Sequence, residues 1–143
     1  MKEILFKAKR KGREDGSDYI SPYKNGDWVY GLVSKQYKGH WAEEFDDEMT
    51  DENGVSGITI DRNTICEYTG CEDEQGTRIF EGDIVLKKGD TGRYFIIYDR
   101  GMFVCVSVEN YVVLKTYPVF DDIEKVVGTI YDDVGVGVKD DDR

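Results

Sequence analysis

The run from Thr64 to Val85 constrains the fold of this chain more than any other stretch. A strand pattern ends at Gly70, an acidic turn ends at Gly76, and a corner centred on Gly82 leads into an apolar strand pattern. Glycine adopts the positive φ that tight turns require, whereas most other residues resist it. The run therefore predicts short strands joined by tight corners, which is how many small β-barrels begin.

Short strand patterns separated by turn residues continue on both sides of this run, at residues 3–9, 28–34, 58–60, 93–98, 102–108, 111–115 and 126–131. Val, Ile, Tyr and Phe dominate the apolar residues, and these side chains suit strands. Sixteen glycines against two prolines favour many turns. Strands of this length at this spacing predict an all-β protein of one folding unit.

The run from Thr64 to Val85 also resembles the signature of the YopX family, small proteins encoded mostly by phages and prophages of Gram-positive bacteria. The matching elements are Tyr68-Thr69-Gly70, Asp73, Gly76, Ile79-Phe80 and Glu81 to Val85. Residues 4–9, 28–32 and 127–131 agree with further family landmarks in the expected order. The resemblance implies an SH3-like barrel core and no particular activity, since the family has no established biochemical function.

These patterns divide the chain into three parts. We predict an N-terminal β extension at residues 1–62, a small SH3-like barrel core at residues 63–131 and an acidic tail at residues 132–143. Within the extension, seven acidic residues fall between Glu43 and Glu52. Their mutual repulsion and few apolar anchors predict a mobile acidic loop at residues 43–53.

Charge is distributed unevenly along the chain. The formal net charge is −11, yet six of the first thirteen residues are basic and one is acidic. The acidity gives solubility, or fits a basic partner or a mimic of nucleic acid charge. The basic arm at residues 1–13 would clamp a neighbouring subunit, or would be the solvated end of an edge strand, where Lys discourages further pairing. We favour the edge-strand interpretation.

Residue types that carry chemistry are few. His40 is the single histidine, in a polar stretch, and Cys66, Cys71 and Cys105 lack the paired spacing of a zinc site. The acidic segment fails the spacing of an EF-hand loop, because with Gly54 in sixth position Ile60 would be twelfth. We therefore predict no catalytic, cofactor-binding or metal-binding residues and no cofactor.

The signature residues are predicted to be structural. Acidic side chains beside a glycine corner accept backbone N–H bonds, each contributing about 1 kcal/mol. This interpretation covers the signature positions Tyr68, Gly70, Asp73, Glu81, Gly82 and Asp83.

Aromatic residues give the remaining indication of function. Tyr and Trp anchor protein interfaces because they offer large area with few rotatable bonds. We predict an interaction surface formed by Trp28, Tyr30, Tyr37 and Trp41. The protein would be a non-enzymatic phage or prophage accessory protein that binds a host or phage protein, or itself as a homo-oligomer. The alternative is a nucleic-acid-associated protein that uses the basic arm, and a structural role in the phage particle stays open.

The N-terminal segment and the lengths of the apolar runs also predict a cellular location. The N-terminus turns polar by Lys7, so it lacks the apolar region of a signal peptide. No run approaches the roughly 20 apolar residues that a membrane helix needs. We expect a protein of the host cytoplasm, with reduced thiols and no membrane partner.

Overall fold

The chain forms two compact units of β-strands in a computed structural model that describes residues 4–12, 22–39, 45–89, 91–107 and 123–132. The N-terminal unit runs from Ile4 to Glu67, and the C-terminal unit begins at Tyr68. Each unit has an apolar core of its own. Within the described ranges, no helix has the length and hydropathy needed to cross a membrane.

Five antiparallel strands build the N-terminal sheet: β1 (Phe6–Lys9), β2 (Trp28–Lys35), β3 (Asp47–Asp51), β4 (Ile58–Ile60) and the start of β5 (Cys66–Glu72). Their order is β4-β3-β2-β1-β5. Side chains alternate between the two faces of a strand, so one face collects the apolar core. That core consists of Ala8, Val29, Met49, Ile58 and Ile60.

The prediction of a mobile acidic loop at residues 43–53 is wrong for the part that becomes β3, Asp47–Asp51. Met49 is fully buried in the core, and Asp47 is buried on the same face. The Asp47 carboxylate lies 3.4 Å from Nη2 of Arg62, which offsets its charge. Burial of the methionine and this ion pair outweigh the repulsion among the acids, and the sequence spacing gives no sign of either.

The C-terminal unit contains a hairpin and a four-stranded antiparallel sheet. β6 (Arg78–Phe80) pairs with β5, and the sheet has the order β10-β7-β8-β9. Its strands are β7 (Asp83–Lys87), β8 (Arg93–Asp99), β9 (Met102–Ser107) and β10 (Ile123–Thr129). The core of this unit consists of Ile79, Val85, Tyr94, Ile96, Cys105 and Ile123.

The prediction of an all-β protein is confirmed, since the described residues form ten β-strands and no α-helix. The barrel is not closed between the described strands, because β9 and β10 lie at opposite edges of the four-stranded sheet. Two register shifts interrupt the pairing of β10 with β7, a common feature of edge strands. Residues 108–122, with the strand predicted at 111–115, lie outside the described part of the chain.

Two hairpins are closed by the same kind of turn. Residues 51–55 begin at the last residue of β3, and residues 73–77 join β5 to β6. In each turn, Oδ1 of the leading aspartate accepts the N–H groups two and four residues later, at 2.8–2.9 Å. The glycine in fourth position has a φ of +91° in one turn and +85° in the other. We call these segments the Asp51 turn and the Asp73 turn.

Candidate interaction surface

Strand β2 brings two of the predicted interaction residues together. Val29 points into the core of the N-terminal unit, so Trp28, Tyr30 and Leu32 point to the opposite face, called here the outer face. Trp28 and Tyr30 are half-buried, whereas Leu32 is 50% exposed. The outer face of β2 therefore carries a row of three large side chains that becomes more exposed toward the end of the strand.

Two lysines of β1 lie beside this row. The strand register places Lys7 opposite Tyr30 and Lys9 opposite Trp28. The Nζ atoms of Lys7 and Lys9 lie 4.4 Å and 5.5 Å from the centroid of the Trp28 ring, within the range of cation–π attraction. Part of the indole surface is therefore already occupied by cations of the same unit.

Strand β1, which carries Lys7 and Lys9, is an interior strand of the N-terminal sheet. β1 pairs with β2 on one side and with β5 on the other, so the interpretation of an edge strand is wrong. Lys7 is 6% exposed and Arg10 is 2% exposed. The Arg10 guanidinium donates to the carbonyl oxygen of Thr59 at 3.2 Å and also to its hydroxyl oxygen. Lys2 and Arg13 lie outside the described residues.

The end of β2 leads to an aromatic pair. The ring centroids of Tyr37 and Phe45 lie 5.0 Å apart, and Phe45 is 46% exposed. Leu32 and Lys35 pair with residues two apart on β3, so both lie on the outer face. Lys35 Nζ lies 6.0 Å from the Tyr37 ring centroid. The outer face thus continues from Leu32 through Lys35 to the aromatic pair.

Arg62 holds the two ends of the connection between β2 and β3 together. Its guanidinium donates to the carbonyl oxygen of Phe45 at 2.8 Å and to that of Tyr37 at 3.5 Å. Its partner Asp47 accepts the backbone N–H of Tyr37 at 3.2 Å. The aromatic pair is therefore attached to the sheet through a hydrogen-bonded stem.

The predicted surface is described for three of its four residues. Trp28 and Tyr30 lie side by side along β2, and Tyr37 lies beyond its end. Trp41, with His40, lies outside the described residues. Sequence reasoning weighed only Trp and Tyr and missed Leu32 and Phe45; the outward position of Leu32 in the β2 alternation was the available signal.

The signature residues lie in the hairpin and the corner of the C-terminal unit. The Tyr68 ring packs against Phe80 with centroids 5.4 Å apart, and Gly70 has a φ of +90°. The carboxylate of Asp83 accepts the N–H of Phe80 at 2.8 Å and is fully buried. These bonds fix the passage from β6 to β7.

Gly82 is the junction of that corner. Its N–H donates to the carbonyl of Ile96 at 2.7 Å, and its own carbonyl accepts the N–H of Ile130 at 2.8 Å. The Thr129 hydroxyl donates to the same carbonyl at 3.1 Å. Glu81 is half-buried beside it. The Gly82 corner therefore joins β7 to the middle of β8 and to the end of β10.

The second carboxylate oxygen of Asp73 reaches a distant strand. Oδ2 accepts the N–H of Val126, on β10, at 2.9 Å. Burial opposes the charge on Asp73, but N–H donors from Thr77, Val126 and Gln75 outweigh it and hold the pKa of Asp73 below its ordinary value. The ionised carboxylate thus fastens β10 to the Asp73 turn.

The Asp51 turn has a side-chain partner in the corresponding place. The hydroxyl of Tyr23 donates to Oδ2 of Asp51 at 2.6 Å. This hydrogen bond is the main cause that raises the pKa of Tyr23 to about 12. The same bond is the main cause that lowers the pKa of Asp51, with N–H donors from Val55 and Asn53 adding to it.

Metal-ligating side chains do not converge in the described ranges, where no three His, Cys, Asp or Glu residues come together as a metal site. Cys66, Cys71 and Cys105 are not disulfide-bonded. Cys66 and Cys105 are buried, and the Cys66 thiol donates to the carbonyl of Thr64 at 3.3 Å. Asp47 and Asp51, two of the acids considered for calcium, are engaged by Arg62 and Tyr23.

The β8–β9 hairpin has an exposed tip that sequence reasoning missed. Asp99 pairs with Met102, so the two residues Arg100-Gly101 form the loop between the strands. Both loop residues have positive φ, +53° and +88°, as in a type I′ turn. The dipeptide Arg100-Gly101 between two strand patterns was the sequence signal for a two-residue hairpin turn.

Comparison with known proteins places the chain in a family. The family model described as YopX protein matches residues 22–135. None of the curated proteins compared with the chain matches it. The matched range includes the outer face of β2, both Asp turns and the Gly82 corner, and it extends well over half of the 143 residues. The chain therefore belongs to the YopX family.

Proposed function

We propose that this YopX-family chain is a phage- or prophage-encoded accessory protein that binds another protein in the host cytoplasm without catalysing a reaction. The observation that supports this proposal is the outer face of the N-terminal sheet. Leu32 and Phe45 stay about half exposed there although they flank a well-packed core. Neighbouring exposed apolar and aromatic side chains are typical of protein contact sites.

The stem of the aromatic pair supports the same proposal. Binding costs free energy whenever a flexible segment must be ordered, so a surface that is already held in place binds more tightly. Arg62 bonds both ends of the connection that carries Tyr37 and Phe45. This arrangement supports the proposal, because the aromatic pair is already held in place in the isolated chain.

A nucleic-acid role is the second candidate, because Lys7 and Lys9 flank the Trp28 ring and single strands bind to aromatic side chains near cations. Three features weigh against it. Lys7 and Arg10 are buried, Lys11 is paired with Asp46 at 2.9 Å, and the chain has a formal charge of −11. Few of these cations are left to neutralise phosphates, so we favour a protein partner.

A pull-down of the tagged full chain from host lysate, with and without nuclease, tests this proposal. The double variant Leu32→Ala/Phe45→Ala removes exposed side chains of the outer face, and Val127→Ala is a matched control on β10. We expect a protein that survives nuclease, binds the wild type and the control, and is lost with the double variant.

Two results would contradict the proposal. Capture that disappears with nuclease would favour the nucleic-acid candidate. Equal capture by the double variant and the wild type would place the contact elsewhere than on the outer face.

We further propose that the protein forms a homo-oligomer. The support is the tip of the β8–β9 hairpin in the C-terminal unit, where the side chains of Tyr98 and Arg100 are exposed.

A further inference from the structure

We infer that the tip of the β8–β9 hairpin, residues 98–103, is the contact by which this chain binds a second copy of itself. The inference rests on the proposed self-association and names its surface. It is separate from the outer face of the N-terminal sheet, which is assigned to another protein.

The backbone at Arg100 is the first observation. Arg100 is the only non-glycine residue with positive φ in the described part of the chain. A type I′ turn favours Gly, Asn or Asp at this position, and an L-residue with a long side chain is disfavoured there. Unfavourable backbone conformations of this kind cluster at functional sites.

The Arg100 side chain gives no packing that would offset this cost. It is 91% exposed, and its ion pair within the described residues joins Nε to Asp99 Oδ1 at 3.9 Å. A pair so exposed contributes little to stability. Arg100 therefore destabilises the backbone of the isolated chain. We infer that its side chain stabilises a contact with another molecule instead.

The rest of the tip has the composition of an interface centre. Tyr98 is 54% exposed, and its ring meets the Phe103 ring edge-on with centroids 5.0 Å apart. Met102 pairs with Asp99 on the opposite face of the hairpin and is half-buried. Tyr, Phe, Met and Arg are enriched in protein interfaces, and a two-residue turn loses little freedom on binding.

The net charge of the chain favours a second copy as the molecule that binds the tip. Arginine binds carboxylates through paired N–H bonds, and this chain has 30 acidic residues against 19 basic ones. A second copy therefore offers the guanidinium more carboxylates than competing cations. Repulsion between the two acidic molecules is screened beyond about 8 Å at physiological salt, so the short-range contact decides the affinity.

The contact is heterologous, because the tip of one copy meets a different surface of the next. Contacts of this type close into rings or continue as filaments. We therefore expect assemblies larger than a dimer as the protein concentration rises.

Sedimentation of the full chain over a wide concentration range tests the inference with the protein itself as the probe. The monomer has a mass of 16.4 kDa, and we expect the wild type to exceed it at high concentration. The informative variant is Arg100→Gly, since glycine suits the turn and keeps the hairpin. We expect its dissociation constant to rise roughly tenfold or more, and its melting temperature to stay equal or rise.

Tyr98→Ala is a second variant, which removes a contact side chain without altering the turn, and it should weaken association as well. Lys125→Ala is the matched control, because it removes an exposed cation of the same unit outside the tip. We expect it to sediment as the wild type does.

Four outcomes would overturn the inference. A wild type that stays monomeric would exclude self-association, and equal association of wild type and Arg100→Gly would exclude the tip. An equal effect of Lys125→Ala would show a general charge effect. A monomeric wild type whose host partner is lost with Arg100→Gly would assign the tip to a different protein. The pull-down with the Leu32→Ala/Phe45→Ala variant is a separate readout, so failure here leaves the proposed host contact testable.

Discussion

The Asp51 turn and the Asp73 turn share their internal hydrogen bonds but are attached to their units in different ways. The second oxygen of Asp51 accepts from a side chain, the Tyr23 hydroxyl at 2.6 Å. The second oxygen of Asp73 accepts from a backbone N–H, that of Val126 at 2.9 Å. A hydroxyl can rotate and can also accept a bond, whereas a backbone N–H only donates. The Asp51 turn therefore tolerates a donor in place of its second carboxylate oxygen, whereas the Asp73 turn requires an acceptor there.

The largest expected effect concerns the strand that positions the Asp51 turn. Gly31 lies opposite Asp51, and a Cβ at Gly31 would collide with the carbonyl oxygen of Thr50 and lie 2.8 Å from Cα of Asp51. We expect Gly31→Ala to lower the free energy of unfolding by about 3 kcal/mol, because backbone must move. Urea unfolding measures this loss.

A neighbouring variant controls for general damage to β2. Leu32→Ala changes an exposed side chain of the same strand and should alter stability by about 0.5 kcal/mol or less. Equal stability of Gly31→Ala and the wild type would show that β2 and β3 separate without cost to the unit.

The second largest expected effect is a difference in stability between the Asp73→Asn and Asp51→Asn variants. Asp73→Asn keeps an oxygen for the turn but places an NH₂ group against the N–H of Val126, so two donors face each other. We expect a loss of about 2 kcal/mol and faster amide exchange at Val126. In Asp51→Asn the new NH₂ group can donate to the Tyr23 hydroxyl, so the loss should be smaller. Equal losses would remove the distinction between the two turns.

The third expected effect is a dependence on alkaline pH that belongs to the Asp51 turn. The pKa of Tyr23 is raised from 10.0 to about 12, so the folded state holds the phenol proton more tightly than the unfolded state. Stability is then complete below the ordinary pKa and falls as the pH rises from 10 toward 12. Unfolding measured across this range should show the decline, and Tyr23→Phe should flatten it. An unchanged slope in Tyr23→Phe would assign the decline to other groups.

The smallest expected effect is acid sensitivity shared by both turns. The pKa values of Asp51 and Asp73 lie below the ordinary value of 3.8. The stability they contribute is present above that value and is lost as the pH falls below it. Asp73→Asn should show a shallower loss in acid than the wild type does. A parallel acid curve for wild type and variant would argue against an ionised Asp73 in the folded unit.

Local signals in the sequence predicted much of the fold. Period-2 alternation in β2 and β9 and glycines at the turns were enough for the all-β class. The acidic strand β3 was missed because the partners of its carboxylates, Tyr23 and Arg62, are distant in sequence. The interior position of β1 was missed for a similar reason, since its pairing with β5 joins Phe6 to Glu67.

The candidate surface was predictable only in part, because exposure depends on neighbouring strands. Trp28 was identified from its residue type, but the register that sets Lys7 and Lys9 against its ring is a property of the sheet. Phe45 was missed because its ring contact with Tyr37 depends on the stem that Arg62 holds. Residue type indicated which segments were candidates for a surface, whereas strand pairing determined which side chains are exposed.

The Gly82 corner has a consequence for the order in which the chain folds. During synthesis Gly82 leaves the ribosome before its three partners, which are Ile96, Ile130 and the hydroxyl of Thr129. Thr129 lies 47 residues farther along the chain. Contacts of such long sequence separation form slowly, because a large loop must close first. The Gly82 corner is thus completed late, and the carbonyl of Gly82 stays hydrated until β10 arrives.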